Sequence, residues 1–164
     1  MKTILAPIDF SDGTKPVIAE SVALARATGA RLVLLNVIQP LPASASEFGF
    51  AEATAKIAAA AVGSADRRLA HIQEQLREAG ITVSTFHAVG ISGSTIIAGA
   101  RELSADYIVI GSHGHGAFYD LIVGSTTSRV LKEATCPVLV IPRGVTPNDQ
   151  AALLDLEPAE AVEA

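Results

Sequence analysis

The sequence of 164 residues contains a single cysteine, Cys136, and lacks any long apolar run. One cysteine excludes an internal disulfide framework and a cysteine-based zinc site, which fits a reducing compartment, so we expect a cytoplasmic protein. The longest run of only Ala, Val and Ile is IAAAAV at 57–62. This run is far shorter than the roughly 20 residues that a membrane-spanning helix needs. The N-terminus also lacks the small-residue cleavage site of a secretory signal, so we expect neither membrane insertion nor export.

Basic residues are missing from the C-terminal part of the chain. No Lys or Arg follows Arg143, and residues 1–143 balance 12 basic against 12 acidic residues, so the net charge of −5 belongs to the tail. The acidic residues of the tail are Asp149, Asp155, Glu157, Glu160 and Glu163. Because phosphate backbones select basic surfaces, we expect no nucleic-acid partner. We divide the chain into one domain, 1–143, and an acidic tail, 144–164, which contains the apolar patch AALLDL.

Five short apolar runs, rich in Ile, Val and Leu, are typical of strands that are buried on both faces. They are TILAPI (3–8), RLVLLNVI (31–38), ITVSTFHAV (81–89), DYIVIG (106–111) and PVLVIP (137–142). Segments with helical spacing separate these runs, and Gly29 and Gly80 stand where two helices are expected to end. Because every parallel connection needs a crossover, this alternation predicts a doubly wound α/β domain. We expect a five-stranded parallel sheet in the order 3-2-1-4-5, with helices on both faces.

The helical connections differ in regularity. The second connection is interrupted by Pro40, Pro42, Gly49 and Gly63, so we expect a loop over 39–50 and an uneven helix over 47–79. Two shorter helices are expected from Ser94 to Leu103 and from Ser125 to Ala134.

Two loops at the carboxyl ends of predicted strands contain candidate ligand-binding residues. Asp9 follows the first strand and GSHGHG follows the fourth, so both loops border one crevice if those strands are neighbours. Gly111, Gly114 and Gly116 allow the backbone to double back and to approach a phosphate closely. The alternative is that these glycines only form the turn between a strand and a helix.

The start of the fourth predicted helix is a second anion-binding feature. Gly124-Ser125-Thr126 opens this helix, and Ser125 is the expected N-cap. The amides of the first turn lack intrahelical acceptors, so they suit a phosphate. A few charge-assisted contacts of about 1.5–3 kcal/mol each would support micromolar nucleotide binding without a lysine.

The glycine spacing resembles that of a known family. Gly111, two residues, Gly114, nine residues, and Gly124-Ser125 match G-x2-G-x9-G-[ST], the ATP-binding signature of the universal stress protein family. PIDFS (7–11) resembles the first loop of that family, and CPVLVIP (136–142) resembles its last strand. The resemblance covers roughly residues 1–143, and it implies an ATP-binding, dimeric regulatory protein.

The resemblance also implies which residues contact the nucleotide. Pro7 and Asp9 would approach the nucleoside, and Asn36 and Val37 would flank the adenine. The residues expected around the triphosphate are Gly111, His113, Gly114, His115, Gly116, Gly124, Ser125 and Thr126. Many members of the family carry Arg or Lys at the position of His115, so its phosphate contact is weaker here unless the imidazole is protonated.

Metal binding has two interpretations. His113 and His115 could share one ion, but a structural zinc site needs four ligands and the nearby candidate is Asp120. Mg or Mn held between Asp9 and the nucleotide phosphates fits the preference of these cations for oxygen. Asp9 has a further alternative role, which is to cap the helix that follows it.

Dedicated enzyme motifs are absent from the sequence. It contains no G-x4-G-K-[ST], G-x-G-x-x-G or G-x-S-x-G. We therefore expect a nucleotide-loaded regulator, with slow ATP hydrolysis or a nucleotide-free scaffold as alternatives.

Partners are expected from the last strand and the tail. The apolar strand from Pro137 to Ile141 would be exposed at a sheet edge, so pairing with its own copy predicts a homodimer, which the resemblance also implies. Some family members associate with larger systems, including membrane transporters, and the acidic tail could make such a contact.

Overall fold

The computed structural model describes residues 1–40, 51–112 and 123–142. Within these ranges the chain alternates strands and helices as expected. The strands are β1 (Thr3–Ile8), β2 (Arg31–Ile38), β3 (Val83–Val89), β4 (Tyr107–Gly111) and β5 (Val138–Ile141). The helices are α1 (Thr14–Thr28), α2 (Ala51–Glu78), α3 (Ser92–Glu102) and α4 (Ser125–Glu133). No helix in these ranges is long and apolar enough to cross a membrane.

The five strands form one parallel sheet in the order β3-β2-β1-β4-β5, which confirms the predicted fold. β1 lies at the centre, between β2, which is the next strand along the chain, and β4, which comes from much later in the sequence. The strand order reverses between β1 and β4, so this is the switch point at which ligands of such sheets bind.

Two apolar clusters cover the two faces of the sheet. On one face, α1 and α2 pack against alternate residues of β1 and β2, including the fully buried Ile4, Leu32 and Leu34. On the other face, α3 and α4 pack against the intervening residues, among them Leu5 and Leu35. Since both faces are covered, the central strands are apolar throughout, and their period of two separates the clusters.

The ends of the helices explain where the strands begin. Gly29 and Gly80 follow α1 and α2 with φ values of 64° and 77°, the left-handed conformation that glycine adopts without a Cβ clash. Both glycines were predicted as C-terminal caps, and this is confirmed. The amide of Ile81 donates to the Leu76 carbonyl at 2.9 Å, so Ile81 is bonded to the last turn of α2 and β3 begins later than predicted, at Val83.

Helix α2 corrects one expectation about the second connection. It continues without interruption through Gly63, which was expected to break it. Burial of Ala65, Leu69, Ile72 and Leu76 against the sheet outweighs the cost of about 1 kcal/mol for one glycine inside a helix. The expected loop at 39–50 lies mostly outside the described residues.

Candidate functional site

The candidate site lies at the carboxyl ends of β1 and β4, at the switch point of the sheet. The β1–β2 ladder continues to the last residue of β1, where Ile8 pairs with Asn36. On its other side, β1 pairs with β4 only through Ile4–Tyr107 and Leu5–Ile108 among the described residues. The two strands therefore stop pairing three residues before β1 ends. This confirms the neighbouring position of β1 and β4 on which the predicted crevice depended.

Pro7 accounts for this early end of the ladder. Thr3 directs its backbone toward β4, because its carbonyl accepts the Asp106 amide at 2.8 Å, whereas Lys2 bonds toward β2 through Arg31. Backbone groups alternate sides along a strand, so Leu5 and Pro7 face β4 as Thr3 does. Pro7 has no N–H and cannot donate to β4. The missing donor lies at the position where the β1–β4 ladder ends.

The turn after β1 positions the Asp9 carboxylate. One Asp9 carboxylate oxygen accepts the Ser11 amide at 3.0 Å and the Ser11 hydroxyl at 2.5 Å. Between them, Phe10 has a φ of 60°. A left-handed conformation costs a residue with a side chain about 1–2 kcal/mol, so the surrounding contacts must compensate for it. The carboxylate thus organises the turn ahead of α1, whose N-cap residue is Gly13.

The second wall of the crevice begins at the end of β4. The buried hydroxyl of Thr127 in α4 donates to the Gly111 carbonyl at 2.7 Å. The Ser112 amide donates to the Ile141 carbonyl, and the Gly124 amide donates to the Ser112 carbonyl, each at 2.8 Å. These bonds fix the end of β4 and the start of α4 against each other. The predicted contacts His113, Gly114, His115 and Gly116 lie outside the described residues.

The N-terminus of α4 differs in one detail from the expectation. Gly124, with φ −66° and ψ 160°, is the N-cap, and Ser125 is the first helical residue, so Ser125 was wrongly predicted as the cap. Gly124 has no side chain with which to cap the helix, and the first turn of the helix carries no acidic residue. The first-turn amides and the positive end of the helix dipole therefore favour an anion beside Ser125 and Thr126.

Asn36 and Val37 end β2 beside this crevice. The Asn36 side chain is buried and its Nδ2 donates to the Ile8 carbonyl at 2.9 Å, so it holds the ends of β1 and β2 together. Val37 is partly buried against the cluster under α3 and α4. Their expected contact with adenine stays a prediction, as do the other ligand contacts.

Comparison with known proteins places this architecture in a family. The profile described as the Universal stress protein family matches residues 1–142. The chain belongs to the universal stress protein family. A universal stress protein of Thermus aquaticus, from the QAH/OAS sulfhydrylase 3' region, is 35% identical over 145 residues, which cover 85% of this chain and 98% of that protein.

Solved structures of universal stress proteins share the fold. The protein MJ0577 of Methanocaldococcus jannaschii superposes with a TM-score of 0.77 at 28% identity, covering 88% of this chain and 98% of that one. A universal stress protein in complex with cAMP has a TM-score of 0.59 at 21% identity and covers 86% and 96%. An Archaeoglobus fulgidus member in complex with dAMP has a TM-score of 0.53 at 21% identity and covers 86% and 97%. Some structural neighbours of this chain therefore bind nucleotides.

Three residues of the site were not predicted from the sequence: Thr127, Phe10 and Arg68. Thr127 was hidden among four consecutive hydroxyl residues, and its burial depends on how α4 lies against β4. Phe10 adopts a conformation that its residue type does not indicate. Arg68 lies 58 positions further along the chain and stacks over the Phe10 ring at 4.2 Å. Of the three, only Thr127 has a local signal in the sequence. Its spacing of three residues from Val130 is typical of two residues on the same buried face of a helix.

Cys136 has a structural role. It is partly buried before β5 and packs against the cluster under α3 and α4. Burial, with a smaller effect from the negative charge of Asp106, raises the pKa of its thiol. A raised pKa leaves less thiolate at neutral pH, which does not favour a reactive cysteine.

Thr127→Val tests the bond that joins α4 to β4. Valine keeps the shape of the side chain but leaves the Gly111 carbonyl without its donor, so we expect a loss of about 1–3 kcal/mol in the free energy of unfolding. Denaturant unfolding measures this loss. Thr127→Ser retains the hydroxyl and is the control, expected to lose less. Equal stability of the valine variant and the wild type would contradict this role of Thr127.

Proposed function

We propose that this member of the universal stress protein family binds ATP in the crevice between β1 and β4 and acts as a nucleotide-loaded regulator. The observation that supports this most directly is the end of the β1–β4 ladder at Leu5, at the switch point of the sheet, together with an N-terminus of α4 whose first turn carries no acidic residue. A crevice with anion-favouring amides on one wall and a carboxylate turn on the other suits a molecule with a polar sugar and a phosphate chain.

Each wall would contact a different part of the nucleotide. Pro7 and Asp9 would lie along the nucleoside, with Asn36 and Val37 beside the adenine at the end of β2. The phosphates would lie along the α4 side, where Gly124, Ser125 and Thr126 offer backbone amides. The remaining proposed phosphate contacts are Gly111, His113, Gly114, His115 and Gly116. Mg or Mn would arrive with the nucleotide, coordinated by phosphate oxygens and Asp9.

Adenine nucleotides are favoured by the structural neighbours. The cAMP and dAMP complexes both contain an adenine base and one phosphate group, bound by proteins with this fold. The G-x2-G-x9-G-[ST] spacing of Gly111, Gly114 and Gly124-Ser125 extends the proposal to the triphosphate. No P-loop lysine is present in the sequence, so backbone amides and imidazoles would carry phosphate recognition.

Regulation would act through association with other chains. We propose a homodimer across β5, with the nucleotide state altering contact with a larger partner such as a membrane transport system. β5 is an edge strand, and its Leu139 side chain is 42% exposed. An apolar edge strand with unpaired backbone groups is stabilised by pairing with a second copy.

The first prediction of this proposal concerns the nucleotide that the purified protein carries. Heat-denatured wild-type protein is expected to release ATP at close to one molecule per chain, identified by mass. Gly114→Ala should reduce this content at least about tenfold, because a Cβ obstructs close approach of the backbone to phosphate. ADP released in place of ATP would instead indicate hydrolysis.

A matched glycine variant controls for nonspecific effects. Gly63→Ala lies inside α2, where an added Cβ would come no closer than 3.5 Å to the Arg67 side chain, so it should retain the nucleotide. No released nucleotide, together with no heat of binding on addition of ATP and magnesium, would contradict the proposed function and leave a nucleotide-free scaffold.

The second prediction concerns the dimer. Val138 and Val140 direct their amides away from β4, because Pro137 and Ile141 use their carbonyls to accept Ile108 and Ser112. Val140→Pro removes one outward donor and should shift the mass measured by light scattering from two chains to one. Val140→Thr keeps the amide and should remain dimeric. A monomeric wild type, or a Val140→Pro variant that stays dimeric, would contradict pairing through β5.

A further inference from the structure

Arg68 connects helix α2 to the turn after β1. Its guanidinium carbon lies 4.2 Å from the centre of the Phe10 ring, within the range of a cation–π contact. The neighbouring residue Leu69 is buried in the core, so α2 holds Arg68 at a fixed distance from the sheet. Partial burial lowers the pKa of the guanidinium, yet arginine stays protonated in proteins and the cation is retained.

Phe10 needs such a contact because of its backbone. It has a φ of 60°, one of two positive values among non-glycine residues of the described ranges. A bulky residue remains in this conformation only where neighbouring groups hold it. Phe10 packs against the cluster under α1 and α2 on one side, and Arg68 lies over its ring.

The conformation of Phe10 determines how Asp9 is presented. Ser11 donates its amide and hydroxyl to the Asp9 carboxylate across Phe10, and the Ser11 carbonyl accepts the Thr14 amide at 2.9 Å. Rotation of Phe10 out of the left-handed region would move Ser11 relative to Asp9 and break these bonds. The orientation of the Asp9 carboxylate therefore depends on Phe10, whose ring is contacted by Arg68 of α2.

We infer that Arg68 is a positioning residue for the candidate nucleotide site, holding Phe10 in its left-handed conformation and thereby orienting the Asp9 carboxylate toward a nucleoside. This inference rests on the proposed function, since it assigns Asp9 a contact with the nucleoside. It adds a residue outside the glycine spacing and outside both loops of the crevice. It also predicts that Arg68 acts without contacting the phosphates.

Calorimetric binding of adenosine and of ATP, both measured without a divalent cation so that no metal joins Asp9 to the phosphates, tests the inference. Arg68→Met keeps the length of the side chain but removes the cation and its planar face. We expect its affinity for both ligands to fall by the same factor, about fivefold, since the nucleoside is common to both. Arg68→Lys retains a cation over the ring and should recover part of the loss.

The neighbouring arginine offers a matched control. Arg67 lies on the same helix, is exposed, and packs toward Gly63. Arg67→Met removes the same charge, so it should bind both ligands as the wild type does. A larger loss for ATP than for adenosine in Arg68→Met, growing at low salt, would mean that Arg68 contacts phosphate directly and would overturn the positioning role.

A double-mutant cycle tests whether Arg68 acts through Asp9. Asp9→Ala removes the carboxylate, so adding Arg68→Met should then cause no further loss of adenosine affinity. Independent losses that multiply in the double variant would overturn the inference. If the wild type binds neither ligand, the proposed function fails; if it binds both and Arg68→Met is unchanged, only the positioning role fails.

Hydrogen exchange gives a readout without any ligand. The Ser11 amide donates to Asp9, so it should exchange several times faster in Arg68→Met than in the wild type or in Arg67→Met. Unchanged exchange at Ser11 would show that Phe10 holds the turn without Arg68, and would overturn the inference even if the variant unfolds at a lower temperature.

Discussion

The missing backbone N–H of Pro7 is the constraint on which the site depends. β1 is the central strand, so it must pair on both sides for the sheet to be continuous, and it does so up to Leu5. Pro7 cannot donate to β4. The ladder to β4 therefore ends at Leu5, beside the residues with polar chemistry, while the ladder to β2 remains intact to Ile8.

Short polar contacts fix both sides of the proposed site. On the β1 side, Asn36 bonds to Ile8, Ser11 bonds to Asp9, and Phe10 contacts α2 through Arg68. On the β4 side, Thr127 bonds to Gly111 and Gly124 bonds to Ser112. The two apolar clusters stabilise the sheet, whereas these short polar contacts shape its edge. Among the described residues, both sides of the proposed site are therefore fixed before a ligand binds, which would lower the entropy cost of binding.

The fold could be predicted from the sequence to a large extent, and the site only in part. Bounds of β1 and β2 were predicted to the residue because both strands are apolar on both faces, and the strand order was also confirmed. The cap of α4 was predicted one residue late, since Gly124 and Ser125 are both acceptable N-caps. The contact between Phe10 and Arg68 could not be predicted, because it joins segments that are distant in the sequence. The left-handed backbone of Phe10 is also not indicated by its residue type. The glycine spacing predicts a nucleotide ligand, and this stays a prediction because the described residues do not include His113 to Gly116.

The most direct test of the central claim is a titration of isotope-labelled protein with ATP and magnesium, followed through its backbone amide resonances. The account predicts that Ser11 on the β1 side and Ser125 and Thr126 on the α4 side shift together with one dissociation constant. Amides at the opposite end of the sheet, such as Arg31 and Asp106, should stay unchanged. Shifts confined to that opposite end, or none at saturating ATP, would contradict a nucleotide crevice between β1 and β4.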